Sequence, residues 1–223
     1  MFKSEQQLVN ILKENYHTIC NWDTSRNHTS YIQEVNLGFG VADLVILKWN
    51  KKQINTNNEI ELNHFDIGIY KIIERNKNTT INLLQEFTGA NKSTINISIE
   101  KLIAKSYILK NDTIIKFSKP YKNNTHQAIA IEAKLKNWKR ALDQAYRYKW
   151  FANQAYVVLD HQNINAAVKN LEGFKKLNVG LAEINSLGVV KIYFKPFHCP
   201  PIDDIMPLLL NEWINKLSRS KKE

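Results

Sequence analysis

Acidic side chains interrupt two apolar segments of the sequence, where a charged group is unexpected. Asp43 lies within VADLVIL (residues 41–47), and Glu132 lies within AIAIEAK (residues 128–134). Both segments are rich in Val, Ile, Leu and Ala, which predicts β-strands that are largely buried. Burying a carboxylate costs several kcal/mol unless the group is paired with a cation or binds a metal. A divalent cation between Asp43 and Glu132 would account for both interruptions.

Alternation along the second strand separates a face that carries charge from a face that is apolar. The first face consists of Ala128, Ala130, Glu132 and Lys134. The second face, which is expected in the core, consists of Ile129, Ile131, Ala133 and Leu135. Two carboxylates suit Mg²⁺, which binds a phosphate and lowers the pKa of a bound water. An ammonium on the same face can orient that water or stabilise the charge of phosphodiester hydrolysis.

The two acidic strands are predicted to be surrounded in the sequence by further helices and strands, which must position their side chains. Helices are predicted at residues 4–16, 137–154 and 163–178 and in the C-terminal segment from residue 203. A strand is predicted at 31–37, and the turn Gly38-Phe39-Gly40 joins it to the strand that contains Asp43. Another strand is predicted at 155–160, and a terminal pair of strands is predicted on either side of Leu187-Gly188. A polar segment, residues 50–63, is predicted as a linker. This order predicts an α/β fold.

The residues of the two acidic strands resemble those of the PD-(D/E)xK superfamily, the restriction-endonuclease-like nucleases. The resemblance rests on GFGVADLV (residues 38–45), followed far downstream by IEAK (residues 131–134). It implies a mixed sheet flanked by helices and a Mg²⁺ (or Mn²⁺) site with Asp43 and Glu132 as ligands. It also implies that the carbonyl of Ala133 is a further ligand and that Lys134 is the catalytic lysine.

The helix after Lys134 extends this resemblance. Gln144 and Tyr148 are four residues apart and therefore on one helix face, as in the Q-x-x-x-Y element of RecB-like nucleases and some other branches. That element implies that Gln144 helps to position the active site and that Tyr148 lies near the DNA backbone. The sequence departs from the family name, since Ala42 replaces the proline. A glutamate of the first helix joins the site in some relatives; Glu5 is the better candidate, and Glu14 and Glu34 remain open.

A separate module is predicted at residues 65–118, inside a discontinuous nuclease domain of residues 1–64 and 119–223. Three helices followed by a hairpin about Asn111-Asp112 resemble a winged helix-turn-helix. Small polar and basic groups begin its third helix and are expected to contact DNA: Lys92, Ser93, Thr94 and Asn96. The long gap between Asp43 and Glu132 is attributed to this insertion. The alternative is a helical insertion that serves protein contacts.

The charge of the chain points to a polyanionic partner. The net charge is +10, and residues 119–153 contain eight basic and two acidic residues, among them Lys136 and Arg147 as candidate DNA contacts. Two cysteines exclude a disulfide framework, and there is no apolar run long enough to span a membrane. We therefore expect an intracellular protein.

The function predicted from the sequence is metal-dependent hydrolysis of DNA, with duplex DNA bound by the winged helix. The rival hypothesis is a non-catalytic DNA-binding or regulatory protein on a relic nuclease fold. RNA as the substrate is a third hypothesis, which the winged helix disfavours. A homodimer is expected if both strands are cut, because each chain has one site.

Overall fold

The computed structural model describes residues 2–20, 22, 28–38, 40–49 and 60–220. Most of the predicted linker at residues 50–63 and Phe39 of the predicted turn lie outside these ranges. The chain forms two compact units, the first comprising residues 1–52 and 125–203 and the second comprising residues 53–124 and 204–223. Each unit has its own core.

Both units contain helices and strands. The strands are β1 (His28–Asn36), β2 (Val41–Trp49), β3 (Asn78–Thr80), β4 (Ile108–Asn111), β5 (Ile114–Phe117), β6 (Thr125–Lys134), β7 (Gln154–Asp160), β8 (Gly180–Ile184) and β9 (Val190–Phe194). The helices are α1 (Glu5–Asn15), α2 (His17–Cys20), α3 (His64–Asn76), α4 (Ile81–Thr88), α5 (Lys92–Ala104), α6 (Trp138–Arg147), α7 (Asn165–Val168), α8 (Leu171–Leu177) and α9 (Met206–Ser220). Among these described helices, none combines the length and apolar character needed to cross a membrane.

The first unit is built on one mixed sheet of six strands in the order β1-β2-β6-β7-β8-β9. The three strands β6, β7 and β8 are parallel, whereas β1, β2 and β9 each pair antiparallel with their neighbours. Parallel neighbours need a crossover connection, and α6 provides the one between β6 and β7. The prediction of an α/β fold with a mixed sheet flanked by helices is confirmed.

Each face of β6 is covered by helices. Ile129, Ile131 and Ala133 belong to a core that also contains Leu8 and Leu12 of α1, so the predicted apolar face is confirmed. The alanines of the other face, Ala128 and Ala130, are buried as well. Helix α6 packs on β6 and β7 and buries its own Ala141 and Ala145. Small side chains on both surfaces allow the helix to lie close to the strands.

Two of the predicted helices are shorter than expected. The helix predicted at 137–154 ends at Arg147, and a 3-10 turn at Tyr148–Trp150 follows it. Gln154 already belongs to β7, where it pairs with Ile129 of β6; the tertiary demand for a parallel strand overrides the helical pattern. The predicted helix at 163–178 is divided into α7 and α8.

The second unit contains α3, α4, α5 and a three-stranded antiparallel sheet in the order β3-β5-β4. Strand β3 was not predicted, since its three residues carry no period-two pattern. Helix α9 contributes Leu208 to the core of this unit, and the unit includes residues 204–223. This division differs from the sequence-based one, which grouped the C-terminal helix with the nuclease domain. The apolar face of α9 is buried against the second unit's core, which no local pattern indicates.

Candidate active site

Asp43 and Glu132 lie on neighbouring strands at the point where their ladder ends. Strands β2 and β6 pair antiparallel, and Leu44 opposite Ile131 is the last pair at this end. Asp43 and Glu132 are each the next residue along their strand, so this register places them opposite each other on one face of the sheet. The tertiary structure thus brings together two carboxylates that are distant in sequence.

The carboxylate of Asp43 is held by the main chain of β6. The N–H of Ala133 donates a hydrogen bond to Asp43 Oδ2 at 2.7 Å. The pKa of Asp43 is raised, chiefly by burial, although the Ala133 N–H and Lys134 lower it in part. The carboxylates of Glu5 and Glu34 raise it further. The negative form of Asp43 is therefore held in an environment that disfavours it, and a bound cation would relieve this cost.

Glu132 is almost fully buried, with 1% of its side chain exposed. Its Oε1 lies 2.9 Å from the Nζ of Lys134, which is two residues further along the same strand face. Its Oε2 contacts the hydroxyl of Tyr148. Burial raises the pKa of Glu132, and repulsion from Asp43 adds to this, while the hydrogen bonds with Tyr148 and Lys134 oppose it.

The ammonium of Lys134 is shared by three carboxylates. Its Nζ lies 2.9 Å from Glu132 Oε1, 3.2 Å from Glu5 Oε2 and 3.9 Å from Asp43 Oδ2. Burial alone would lower the pKa of Lys134, but the hydrogen bond that Lys134 donates to Glu132 and the negative charge of Asp43 raise it. Lys134 therefore stays charged near neutral pH.

The donor set of this cluster fits a hard divalent cation. Ionised Glu5, Asp43 and Glu132 carry three negative charges against the one positive charge of Lys134. Carboxylate oxygens are the ligands that Mg²⁺ prefers, and it usually binds through only one or two of them and keeps several waters. Among the described residues, no group of three or more His, Cys, Asp and Glu side chains is arranged to hold a metal by itself. Asp43 and Glu132 suffice for the two-carboxylate mode.

Two residues with positive φ lie in β1 and just before β2, near the chain position of Asp43. The β1–β2 register places Glu34 opposite Asp43, and Glu34 is exposed with φ at 53°, a left-handed conformation that is uncommon for a non-glycine residue. Gly40, the last residue of the predicted Gly38-Phe39-Gly40 turn, has φ at 116°, which other residues rarely adopt. Glu14 shows no contact with Asp43, Glu132 or Lys134 among the described residues. Of the three candidate glutamates, Glu5 alone contacts Lys134 directly.

Tyr148 is fully buried, and its hydroxyl contacts both Glu132 Oε2 and the carbonyl oxygen of Val41, the latter at 2.7 Å. The hydroxyl is the donor in both contacts, and because a phenol has one hydrogen, Glu132 Oε2 and the Val41 carbonyl share it or accept it in turn. The predicted place of Tyr148 near a DNA backbone does not agree with this burial; its side chain lies beneath the carboxylates.

Gln144 lies one helical turn before Tyr148 on α6 and is partly buried. Its Oε1 is buried and accepts no hydrogen bond from the residues that the structure describes. A buried amide oxygen without a donor is costly, so this atom has the capacity to accept a bond from a bound water or substrate.

The predicted DNA contacts are mostly exposed and belong to different units. Lys136 and Arg147 lie on the surface of the first unit, and Lys92, Ser93 and Thr94 lie on the surface of the second, with Asn96 partly buried. The N–H and the hydroxyl of Thr94 both donate hydrogen bonds to the side chain of Asn91, the N-cap of α5, so these donors already have a partner within the helix. Sequence patterns gave no indication of the main-chain partners Val41 and Ala133, since any residue type carries an N–H or carbonyl there.

Comparison with known proteins identifies no relative of this chain. No protein-family model matches it, and neither a curated protein nor a solved structure is significantly similar to it.

Proposed function

We propose that this chain is a metal-dependent nuclease with a restriction-endonuclease-like fold, and that it hydrolyses phosphodiester bonds of DNA at Asp43 and Glu132. The observation that carries this proposal is the meeting of one buried carboxylate (Glu132), one partly buried carboxylate (Asp43) and one ammonium (Lys134) at the end of the β2–β6 ladder. Such a cluster is costly for stability alone, since apolar residues would fill the same strands without charge. The mixed sheet with helices on both faces is compatible with the proposed fold.

The side chains of the cluster have separate roles in this proposal. Asp43 and Glu132 would hold a Mg²⁺ or Mn²⁺ ion together with the carbonyl of Ala133. The bound ion would act as a Lewis acid toward the phosphate and would activate a water at neutral pH. Lys134, already 2.9 Å from Glu132, would hold the attacking water and stabilise negative charge on the phosphate. Gln144 would accept a hydrogen bond from that water or from the substrate.

The second unit would bind duplex DNA as a winged helix. The order α3-β3-α4-α5-β4-β5 supports this, because strand, helix pair and hairpin follow one another as in that motif. Asp112 at the hairpin turn has φ at 52°, which suits a tight turn. Lys92 and Ser93 are exposed at the N-terminus of α5, where basic and hydroxyl groups bind phosphates well.

The nuclease proposal is tested with the wild-type chain, supercoiled plasmid and an end-labelled linear duplex. We expect nicking or linearisation in Mg²⁺ or Mn²⁺ and none in a chelator. Nicking by single chains and linearisation only at high protein concentration would indicate that two copies are needed for both strands. An inert protein that still binds duplex DNA would refute the proposal in favour of the non-catalytic DNA-binding protein, and cleavage of RNA only would reassign the substrate.

Binding by the winged helix is tested through the salt dependence of duplex affinity. Lys92→Ala is expected to weaken DNA binding regardless of sequence and to reduce the slope of log K against log salt by about 1. Lys216→Ala is the matched control, because Lys216 is an exposed lysine of the same unit whose Nζ lies 3.2 Å from Glu61. Equal slopes in both variants would contradict the assignment of Lys92 to DNA.

One observation favours the alternative role of the second unit in protein contacts. Leu83 and Phe87 of α4 are 41% and 60% exposed, and Ile97 of α5 is 53% exposed. Large exposed apolar side chains on neighbouring helices are typical of interaction surfaces. The Lys92→Ala measurement separates the two roles, since a surface for protein contacts predicts no change in DNA affinity.

A further inference from the structure

We propose that Tyr148 is a positioning residue that sets the spacing between the carboxylates of Asp43 and Glu132. The inference rests on the proposed function, because that spacing matters only if the two carboxylates bind one ion. Tyr148 would support the metal ligands from the buried side of the site, whereas the sequence led us to expect that it contacts DNA.

The ladder between β2 and β6 is replaced by side-chain links at this site. Its last main-chain pair is Leu44 opposite Ile131. Beyond this pair, the N–H of Ala133 donates to Asp43 at 2.7 Å, and the Tyr148 hydroxyl bridges the Val41 carbonyl and Glu132. One link ends on each carboxylate, so the two links together determine how far apart the carboxylates lie.

The bridge through Tyr148 spans the strands themselves. Val41 belongs to β2, two residues before Asp43, and Glu132 belongs to β6. A hydroxyl bound at 2.7 Å to the Val41 carbonyl therefore ties the Glu132 side chain to the strand that carries the other ligand. Side chains that orient metal ligands typically contribute 10- to 100-fold to metal affinity.

The tyrosine ring is itself held rigidly. It is fully buried, its centroid lies 5.9 Å from that of Phe151, and its backbone begins the 3-10 turn that ends α6. A β-carbon added at Gly40 would lie 3.8 Å from the ring, which is ordinary van der Waals contact. Packing alone would be satisfied by phenylalanine, so the hydroxyl is the group that needs a function.

A second tyrosine of the same sheet offers a matched control. Tyr156 of β7 is also fully buried, but its hydroxyl has no hydrogen-bond partner among the described residues. Removing this hydroxyl changes packing as little as in Tyr148→Phe and touches neither Asp43 nor Glu132.

The experiment measures Mn²⁺ binding by calorimetry in the metal-free wild type, Tyr148→Phe and Tyr156→Phe, after circular dichroism has shown each to be folded. We expect a 10- to 100-fold weaker Mn²⁺ affinity for Tyr148→Phe and wild-type affinity for Tyr156→Phe. In cleavage assays at fixed Mn²⁺, kcat of Tyr148→Phe should fall with little change in the KM for DNA, since the hydroxyl is buried away from the duplex.

Three results would overturn the inference, and they are distinguishable. Wild-type Mn²⁺ affinity in Tyr148→Phe would remove the positioning role and leave the nuclease proposal intact. Absence of Mn²⁺ binding at millimolar concentration in the wild type would remove the metal site itself, and the inference would fail with it. An equal loss of affinity in Tyr148→Phe and Tyr156→Phe would show a general packing effect and would also overturn it.

Discussion

Replacement of Glu132 by glutamine is expected to reduce metal-dependent DNA cleavage by roughly 10³-fold, the scale on which loss of a preorganised charge-stabilising group acts. Glutamine keeps the size of the side chain and an oxygen that can meet Tyr148 or Lys134, but it removes the negative charge that would hold the cation. Because Glu132 is 1% exposed, no solvent or surface group can replace it. The loss should appear in kcat, with duplex affinity unchanged.

Glu183→Gln is the matched control for this prediction. Glu183 of β8 also accepts a hydrogen bond from a tyrosine, since Tyr193 Oη lies 2.9 Å from its Oε2, but its carboxylate belongs to no cluster with Lys134. We expect Glu183→Gln to cleave DNA at the wild-type rate. Residual cleavage in Glu132→Gln close to that of Glu183→Gln would show that the carboxylate of Glu132 does not take part, and would place the activity at another site.

Asp43→Asn is expected to abolish cleavage while making the metal-free protein more stable. The asparagine oxygen can still accept the N–H of Ala133, and Lys134 keeps Glu132 and Glu5 as partners. What disappears is a charge whose pKa is raised by burial and which also raises the pKa of Glu132. Stabilising substitutions commonly add about 0.5–2 kcal/mol to the free energy of unfolding, and we expect a gain of this order for Asp43→Asn.

The stability gain of Asp43→Asn should depend on pH. A carboxyl whose pKa is raised in the folded state binds more protons than in the unfolded state, so wild-type stability falls as pH rises through the interval above the ordinary value of 3.8. Asparagine does not titrate, and the variant escapes this loss. The gain is therefore largest at neutral pH and declines as pH is lowered toward the ordinary carboxyl pKa.

Chemical denaturation at several pH values, in chelator, measures this gain. Asp160→Asn serves as the control, because Asp160 is a buried carboxylate of β7 that accepts the N–H of Gln162 and pairs with His161; its replacement should not raise stability. Saturating Mg²⁺ should stabilise the wild type but not Asp43→Asn. A variant less stable than the wild type at neutral pH would contradict the interpretation that burial disfavours the charge of Asp43 in the metal-free protein.

The residue types and strand alternation by themselves predicted which side chains of β6 share a face at the candidate site. Glu132 and Lys134 share a face because side chains alternate in any strand, and this holds whatever the strand packs against. The apolar face of β6 and the α/β class followed from the same local periodicity, whereas the mixed sheet was implied by the family resemblance. The end of α6 did not, because Gln154 pairs with Ile129 in a parallel strand whose position depends on distant residues.

Only the tertiary structure decided which groups meet. The register of β2 against β6 places Asp43 opposite Glu132, and register depends on contacts between strands that are far apart in sequence. The main-chain groups of Ala133 and Val41 carry no signature in the residue type, although they hold Asp43 and Tyr148. The helical spacing of Gln144 and Tyr148 was visible in the sequence, but whether that face meets DNA or lies beneath the carboxylates depended on how α6 packs against the sheet. Local patterns determine which secondary structure a segment forms and which of its side chains share a face, whereas long-range packing determines which side chains of different segments come into contact.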